Sequence, residues 1–502
     1  MDKPIQEERW SGLLKPLLML VVLGCLPVPG ISGRSIAADF LSRQGGATPA
    51  VSRGYAQRSP DSIRHFEPNP AGNAFKESAT RLFETVLRLI DTQYAEPISK
   101  KDVLDHALKR LALTILPQCM DGVRRMEDST EPAEQYFYNA VEAIADNCGM
   151  DKNRLLNSSM KMLLRDLDPN SGLLDASLLK ELTISTSGKF GGVGMVVSPK
   201  DGDYVVISSF DGSPAYKAGI KSGDTIMEID GKPLHGMPLM EVLQLVRGPA
   251  GSRMSLTIRD KKTGRIGRLG LRRSVIRVPP VRHAMLSAGI GYLRIVNFQN
   301  DTATQVKKAL ERMFDFDEGG LKGLVLDLRD NPGGLFGEAI AVADLFLPSG
   351  VITSVRGRTR ESYSEFKAKR EGTYPEVPMV VLINKGSASA SEILAAALQS
   401  RPEVLVMGER SFGKASVQAV FALGKGTALR LTTAHYYTPD GKDIHGKGLE
   451  PDVKTTSPKG LDRTRIAVAD RRTLESDPEI AQAAAYLKRD NLNGGSPFTS
   501  LY

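Results

Sequence analysis

Two short segments in the C-terminal third of the chain carry residue types at a spacing that suits hydrolytic chemistry. Leu382-Ile-Asn-Lys-Gly-Ser-Ala-Ser-Ala-Ser-Glu392 joins an apolar run to a helix start through a Gly- and Ser-rich turn. Ser411-Phe-Gly-Lys-Ala-Ser-Val-Gln418 follows with a lone lysine and a glutamine. A serine at a strand-to-helix corner lies beside the unpaired N–H groups of a helix N-terminus, and those donors can stabilise an oxyanion. Serine is a weak nucleophile until a base takes its proton. The chain has six histidines, and of these His435 and His445 lie in a polar, Gly-rich stretch. Lysine can act as the base instead when burial disfavours its ammonium form. Lys414 has small or apolar, uncharged neighbours, and Gln418 stands four residues on. On a strand, that even spacing would put both side chains on one face, with the amide placed to orient the lysine.

Each of these features also has a plain structural reading. Ser389-Ala-Ser-Glu392 is S-x-x-E, a helix capping box. Ser387, Ser389 and Ser391 compete for the nucleophile's place, and the local pattern does not choose between them. Lone lysines in loops are ordinarily solvated. Glu392 reads as a helix-start residue and Asp330 as a turn former.

The elements that must position these residues follow from periodicity. Residues 378–383 are a continuous apolar run rich in β-branched residues, which predicts a buried strand, and from Ser389 onward Ile393, Leu394, Ala397 and Leu398 recur at helical spacing. Between Pro279 and Asp452 strands alternate with helices, one of them predicted over Thr302–Phe314. Residues 188–273 read as a small β-rich unit. It holds a Gly-rich loop, Phe190-Gly-Gly-Val-Gly-Met195, a strand at Tyr204–Ser208, turns at Asp211-Gly-Ser-Pro214 and Ser222-Gly-Asp224, and an amphipathic helix at Pro238–Val246. From Phe75 to Leu167 the pattern is helical, with Leu82, Val86, Leu87, Leu89 and Ile90, then Leu104, Leu108 and Leu111, then Tyr138, Val141 and Ile144 as core faces.

The chain has 502 residues, 41% hydrophobic and 25% charged, which suits a globular protein of two to four domains. The net charge of +8 is modest for this length, no basic block stands out and aromatics are 6%, so nucleic-acid binding is not inferred. Residues 17–28 form an apolar stretch too short to span a bilayer comfortably. It fits the core of a secretory signal, with Ser35-Ile-Ala37 as a small-residue cleavage site. Export, most simply to the periplasm, is the expectation; left uncleaved, residues 13–28 would associate with a membrane. Residues 38–74 are rich in Gly, Ser, Pro and Ala and read as a flexible linker. Cys119 and Cys148 flank a helix predicted over Glu131–Asp146. In an oxidising compartment they are candidates for a disulfide, with two buried thiols as the alternative. Neither they nor the histidines have metal-ligand spacing.

Taken together in order, these segments resemble the carboxyl-terminal processing, or tail-specific, proteases. The segments are LRDLDPNSGLL (164–174), STSGKFGGVGMVV (185–197), GYLRIVNF (291–298), LVLDLRDNPGG (324–334), GSASASE, FGKASVQ and LTTAHYYTPDGKDIHGKGLEPD (431–452). The resemblance covers roughly residues 75 to 455. It implies an α+β multidomain chain: a signal peptide over 1–37, the linker, a helical N-terminal region (75–185), a PDZ β-sandwich-like domain (186–275), an α/β core of ClpP/crotonase type (276–457) and a C-terminal tail (458–502). It implies a serine endopeptidase that needs no cofactor, with Ser389 as nucleophile, Lys414 as general base and Gln418 in support. The oxyanion donors would be the N–H of Ala390 and of a glycine in Asn331-Pro-Gly-Gly334, Gly334 being favoured over Gly333. In the PDZ domain, Gly192, Val193, Gly194 and Met195 would hold a peptide's terminal carboxylate. Leu243 and Val246 would take its last apolar side chain, so that substrates carry free apolar C-termini. Arg247 is a candidate link between that domain and the core. The helical region implies dimerisation or a lid, and an adaptor protein is a candidate partner. Asn170 stands where the family commonly has histidine, and Ala415 where it commonly has glycine. The rival reading is a silent PDZ scaffold or a lipophile-binding protein on the same core; Ser389, Lys414 and Gln418 together speak against it.

Overall fold

The structure, a computed structural model, describes residues 78–493 apart from 116, 122, 124–129, 201, 211, 317–319, 360–361, 375–376, 425 and 456–470. The signal segment, the 38–74 linker and the last nine residues lie outside the described residues.

The core is a six-stranded sheet in the order Val281–Met285, Ile290–Ile295, Gly323–Asp327, Met379–Ile383, Val404–Gly408, Val453–Lys454. The first pair is antiparallel and the rest are parallel. Both faces are covered, which is why these strands read as unbroken apolar runs. Leu324, Leu326, Val381, Ile383 and Val406 face one way, onto the helices Thr302–Phe314, Phe336–Asp344 and Ala390–Gln399. Val325, Val380, Leu382, Leu405 and Met407 face the other way, onto Ile480, Ala483 and Leu487 of the helix Pro478–Asn493. This corrects the expectation of a C-terminal tail from 458. The second face of a parallel sheet must be buried, and Arg471–Glu475 and Pro478–Asn493 supply the cover.

A second, antiparallel sheet lies beside it. Thr427–Tyr437 is its centre, flanked by Ser416–Gly424, Gly172–Leu174 and Val351–Gly357, with Ser364–Lys367 beyond. Residues 172–174, expected within the helical region, thus belong to the core. The helices Ser78–Gln93, Lys100–Ala112, Ala133–Cys148 and Lys152–Leu167 form the N-terminal bundle. Its core, with Phe83, Ile90, Leu104, Phe137 and Leu156, is completed by Leu429 and Leu431 from the back of the central strand. The structure joins Cys119 to Cys148, with Cα atoms 5.3 Å apart.

The PDZ domain is inserted between these parts. A two-stranded neck, Lys189–Gly192 against Ser274–Arg277, leads in and out of it. Beyond the neck, Met195–Lys200 is the edge strand of its main sheet, and helix Leu239–Val246 packs over Val193, Met195 and Val197.

Candidate active site

The strand Met379–Ile383 ends in a turn held by buried polar side chains. Asn384 Oδ1 accepts from the N–H of Asp330 (2.8 Å) and of Gly386 (2.9 Å), while Asn384 Nδ2 donates to Asp330 Oδ1 (2.8 Å). Asn331 is fully buried; its carbonyl accepts from Ala388 N–H and from Ser391 Oγ. The two loops are thereby locked together, and the geometry separates the three serines. Ser387 is buried and donates to the Leu328 carbonyl at 2.8 Å. Ser391 is buried and donates to the Asn331 carbonyl at 2.9 Å. Ser389 stays partly exposed, makes no side-chain capping bond and sits at φ 55°, ψ −116°, a conformation that L side chains rarely adopt. Such strain persists only where the surroundings over-determine it.

The Glu392 carboxylate is one such surrounding. It is fully buried and accepts from Ser389 N–H (2.8 Å), Lys414 N–H (2.9 Å), Gly413 N–H (2.6 Å) and Ser411 Oγ (2.5 Å). The backbones of Ser389 and Lys414 meet on the same oxygen, Oε2. Burial raises the Glu392 pKa while those donors pull it down. Tyr436 adds a second clamp, its hydroxyl lying 3.1 Å from the Ser389 carbonyl and 2.6 Å from that of Lys414. Sequence reasoning saw Glu392 only as a helix-start residue and missed Tyr436, Asn331, Asn384 and Ser411. The capping-box pattern was the one local signal for Glu392.

Lys414 is half-buried, and desolvation, followed by the charge of Arg430, brings its pKa down to about 8. Among the described residues its Nζ has no hydrogen-bond or ion-pair partner. Lys414 precedes the strand Ser416–Gly424, and opposite Val417 and Gln418 the central strand carries an extra residue, Thr433. The expected common strand face begins only at Ser416, beyond Lys414, and Gln418 lies on that face with Ser416. Gln418 Nε2 donates to Ser416 Oγ (2.9 Å) and Thr432 Oγ1 (3.4 Å) rather than touching the lysine. Asn170 Nδ2 reaches the same Ser416 hydroxyl at 3.3 Å. His435 and His445 meet edge to face, ring centroids 5.0 Å apart, and His435 faces Glu96 rather than the serine.

The Asn331–Gly334 loop backs directly onto the serine. A Cβ at Gly333 would lie 2.8 Å from Ser389 Cβ and 2.9 Å from Ala390 N. The Gly333 N–H is engaged by Asn331 Oδ1 at 2.9 Å. Among the described residues, the N–H groups of Gly334 and Ala390 have no acceptor. Two free donors beside a strained serine, with a desolvated lysine clamped to the same carboxylate, form an arrangement suited to acyl transfer.

In the PDZ domain, Val193 and Met195 are buried in one cluster with Leu243 and Val246. The N–H groups of Val193 and Gly194 have no acceptor among the described residues, and the adjoining strand has a free edge. Gly192 is paired with Ser274 in the neck. Arg247 pairs with Glu181 and lies over the Phe190 ring, 5.1 Å from its centroid. Glu181 belongs to the helix Ala176–Ser187, whose Leu179 and Leu182 pack on Val420 and Ala428 of the second sheet.

The sequence profile of peptidase family S41 matches residues 289–455, and a PDZ-domain profile matches 206–260. A carboxy-terminal-processing protease of Bartonella bacilliformis is 42% identical over 320 residues, 62% of this chain and 74% of the relative. The carboxy-terminal processing protease CtpA of Bacillus subtilis is 37% identical, covering 61% of this chain and 65% of the relative. Among solved structures, a photosystem II D1 C-terminal processing protease is 28% identical, covering 78% of this chain and 98% of that one, with a TM-score of 0.43.

Proposed function

Since the chain belongs to the carboxy-terminal-processing proteases of peptidase family S41 and carries a PDZ domain, we propose that it is a serine endopeptidase working through Ser389 and Lys414. The observation that carries this is the shared Glu392 oxygen, 2.8 Å from the Ser389 N–H and 2.9 Å from the Lys414 N–H. Ser389 Oγ attacks the scissile carbonyl carbon and its proton passes to the neutral Lys414 amine. The oxyanion is held by the Ala390 and Gly334 N–H groups. The C–N bond breaks, the Lys414 ammonium protonates the leaving amine, and an acyl-enzyme remains. Water then attacks the ester carbonyl, giving its proton to Lys414; the C–O bond to Ser389 breaks and Lys414 returns that proton to Ser389 Oγ, so that the acid product leaves and both groups are restored. Gln418 acts at one remove, by fixing Ser416 and Thr432 beside the lysine.

The substrate C-terminus binds the PDZ domain: the free N–H groups of the Gly192–Met195 loop take the carboxylate, and the peptide adds to the open strand edge. Leu243 and Val246 take its last apolar side chain. Arg247 relays occupancy through Glu181 to the helix behind the lysine strand. The N-terminal apolar run supports export to the periplasm.

The test uses the chain lacking residues 1–37 as wild type, Ser389→Ala and Lys414→Ala. Each is incubated with an unfolded protein ending in an apolar residue and cleavage is followed by mass spectrometry. Wild type is expected to cut, with both variants folded and inactive. Equal cleavage by all three would overturn the site. Amidating the substrate's C-terminus should weaken cleavage; unchanged cleavage would remove the PDZ step.

A further inference from the structure

Residues 253–272 of the PDZ domain hold seven basic residues and one acidic, a net +6 where the whole chain carries +8. In sequence they are scattered and form no run. In the structure they gather on one hairpin, Arg253–Arg259 paired with Ile266–Arg272. Met254, Leu256, Ile258 and Leu271 face the core of the domain. Strand alternation therefore turns Arg253, Arg259, Arg268 and Arg272 to the outer face, and all four are exposed. The register sets Arg253 directly opposite Arg272. Like charges so placed destabilise a sheet unless something neutralises them.

Among the described residues, none of these four arginines has a carboxylate within ion-pair distance. The nearby acids are engaged elsewhere. Asp230 accepts from the Ser255 N–H at 2.7 Å, and its other oxygen lies 4.0 Å from Arg273, which is buried. Glu228 accepts from Thr257 Oγ1 at 2.8 Å, and Asp260 accepts from the N–H groups of Lys262 and Thr263 in the hairpin turn. Arg268 rests on the Ser255 hydroxyl at 3.1 Å and Arg259 on the Met227 sulfur at 3.8 Å, both neutral. Arg253, Ser255, Gly270 and Arg272 line a shallow hollow with Asp230 at its side. On the same face, opposite Arg259, Ile266 is 58% exposed.

We propose that this face docks the protein on an anionic phospholipid bilayer. Charge on an edge strand also guards against edge-to-edge pairing, but that role needs neither an arginine opposite an arginine nor an exposed isoleucine beside them. A flat array of unpaired guanidiniums around one apolar side chain fits a plane of phosphate headgroups. Guanidinium grips phosphate through paired N–H groups, and Ile266 reaches the boundary of the acyl chains. An acidic peptide would answer the charges alone. The contact is separate from residues 13–28 and does not need them. The hairpin ends at one edge of the sheet and the peptide-accepting strand Met195–Lys200 forms the other, so docking leaves that strand open.

The test takes the chain lacking residues 1–37, which leaves residues 78–493 untouched. It is mixed with vesicles of phosphatidylglycerol and phosphatidylcholine, one part to two, or of phosphatidylcholine alone. Co-sedimentation should find binding to the first only, weakening as salt rises. Arg253→Gln with Arg268→Gln and Arg272→Gln should weaken it about 100-fold, about fivefold per arginine. Ile266→Ser should weaken it about fivefold with the salt dependence kept. The triple variant should still cleave soluble unfolded protein at the wild-type rate, which shows that it is folded. Phenylglyoxal modification of the wild type, read by mass spectrometry, needs no variant: anionic vesicles should shield Arg253, Arg268 and Arg272. Equal binding to both vesicle types, binding unmoved in the triple variant, or arginines left unshielded would each overturn the proposal. Capture of poly-glutamate in place of vesicles would overturn it too, in favour of an acidic peptide.

Discussion

The Glu392 carboxylate accepts hydrogen bonds from the N–H groups of Ser389, Gly413 and Lys414 and from the Ser411 hydroxyl, all inside the protein. Glu392→Gln keeps the volume but turns an NH2 group toward two of those donors. We expect the serine and lysine backbones to part, with kcat falling about 100-fold, the scale of an ångström's misplacement in an active site. Peptide binding by the PDZ domain should be unchanged. Steady-state kinetics beside a PDZ-binding titration would check both. The lysine sets the pH dependence. Its pKa is lowered to about 8, so below that pH it is protonated and takes no proton from Ser389. The activity of the wild type should therefore rise with pH through about 8, read as the alkaline-going limb of kcat/KM. At this scale the local pattern exposed three serines and a lysine, and it was the resemblance over the ordered segments that singled out Ser389, Lys414 and Gln418. The burial of Ser387 and Ser391 depends on carbonyls 59 and 60 residues away, so no local pattern could rank them. Ala415, where glycine was expected from the family, is absorbed without strain because the positive φ falls on Gly413, at 88°.

Among the elements, the helices and strands with clear periodicity were legible: Thr302–Phe314, Leu239–Val246 and Met379–Ile383 lie where apolar spacing put them. Gln418 shows what spacing hides. Its even separation from Lys414 suggested one strand face, but the strand begins only at Ser416, so the lysine lies outside the alternation that puts Gln418 on Ser416. The N-terminal bundle is another case of a long-range partner, since its core is closed by Leu429 and Leu431 from the far end of the chain. Within it the Cys119–Cys148 bond closes a loop of 29 residues. Chain-entropy reasoning gives such a loop about 3–4 kcal/mol. Cys119→Ser with Cys148→Ser should lower urea stability by that order. Thiol titration of denatured, unreduced exported protein lacking residues 1–37 should find neither residue free. Two free thiols there would exclude the bond.

For the molecule as a whole, the C-terminal segment is part of the catalytic body. Arg329 is fully buried directly before the Asp330–Gly334 loop, and its guanidinium binds Asp327 on its own strand and Asp477 and Glu479 at the head of the last helix. Those partners are 148 and 150 residues away, which is why the polar, charged composition after Thr455 read as a tail. Composition averages over a segment, whereas Ile480, Ala483 and Leu487 recur at helical spacing on one face of a helix that follows the charged residues 458–477. Removing that helix would leave the second face of the parallel sheet in water and strand a buried guanidinium with two partners missing. Breaking a buried ion pair by deleting one partner costs about 3–5 kcal/mol. Glu479→Gln should therefore lower the unfolding free energy by about that amount. Its effect on cleavage should appear in kcat, because the strain is passed to the loop that carries Gly334, while the PDZ domain, which Glu479 does not touch, keeps its affinity for a free apolar C-terminus. A chain ending at residue 470 should lose folded peptidase core altogether. If that chain cut unfolded protein at the wild-type rate, the last helix would be a cover for the sheet and nothing more, and the oxyanion loop would owe its position to Asn331 and Asn384 alone.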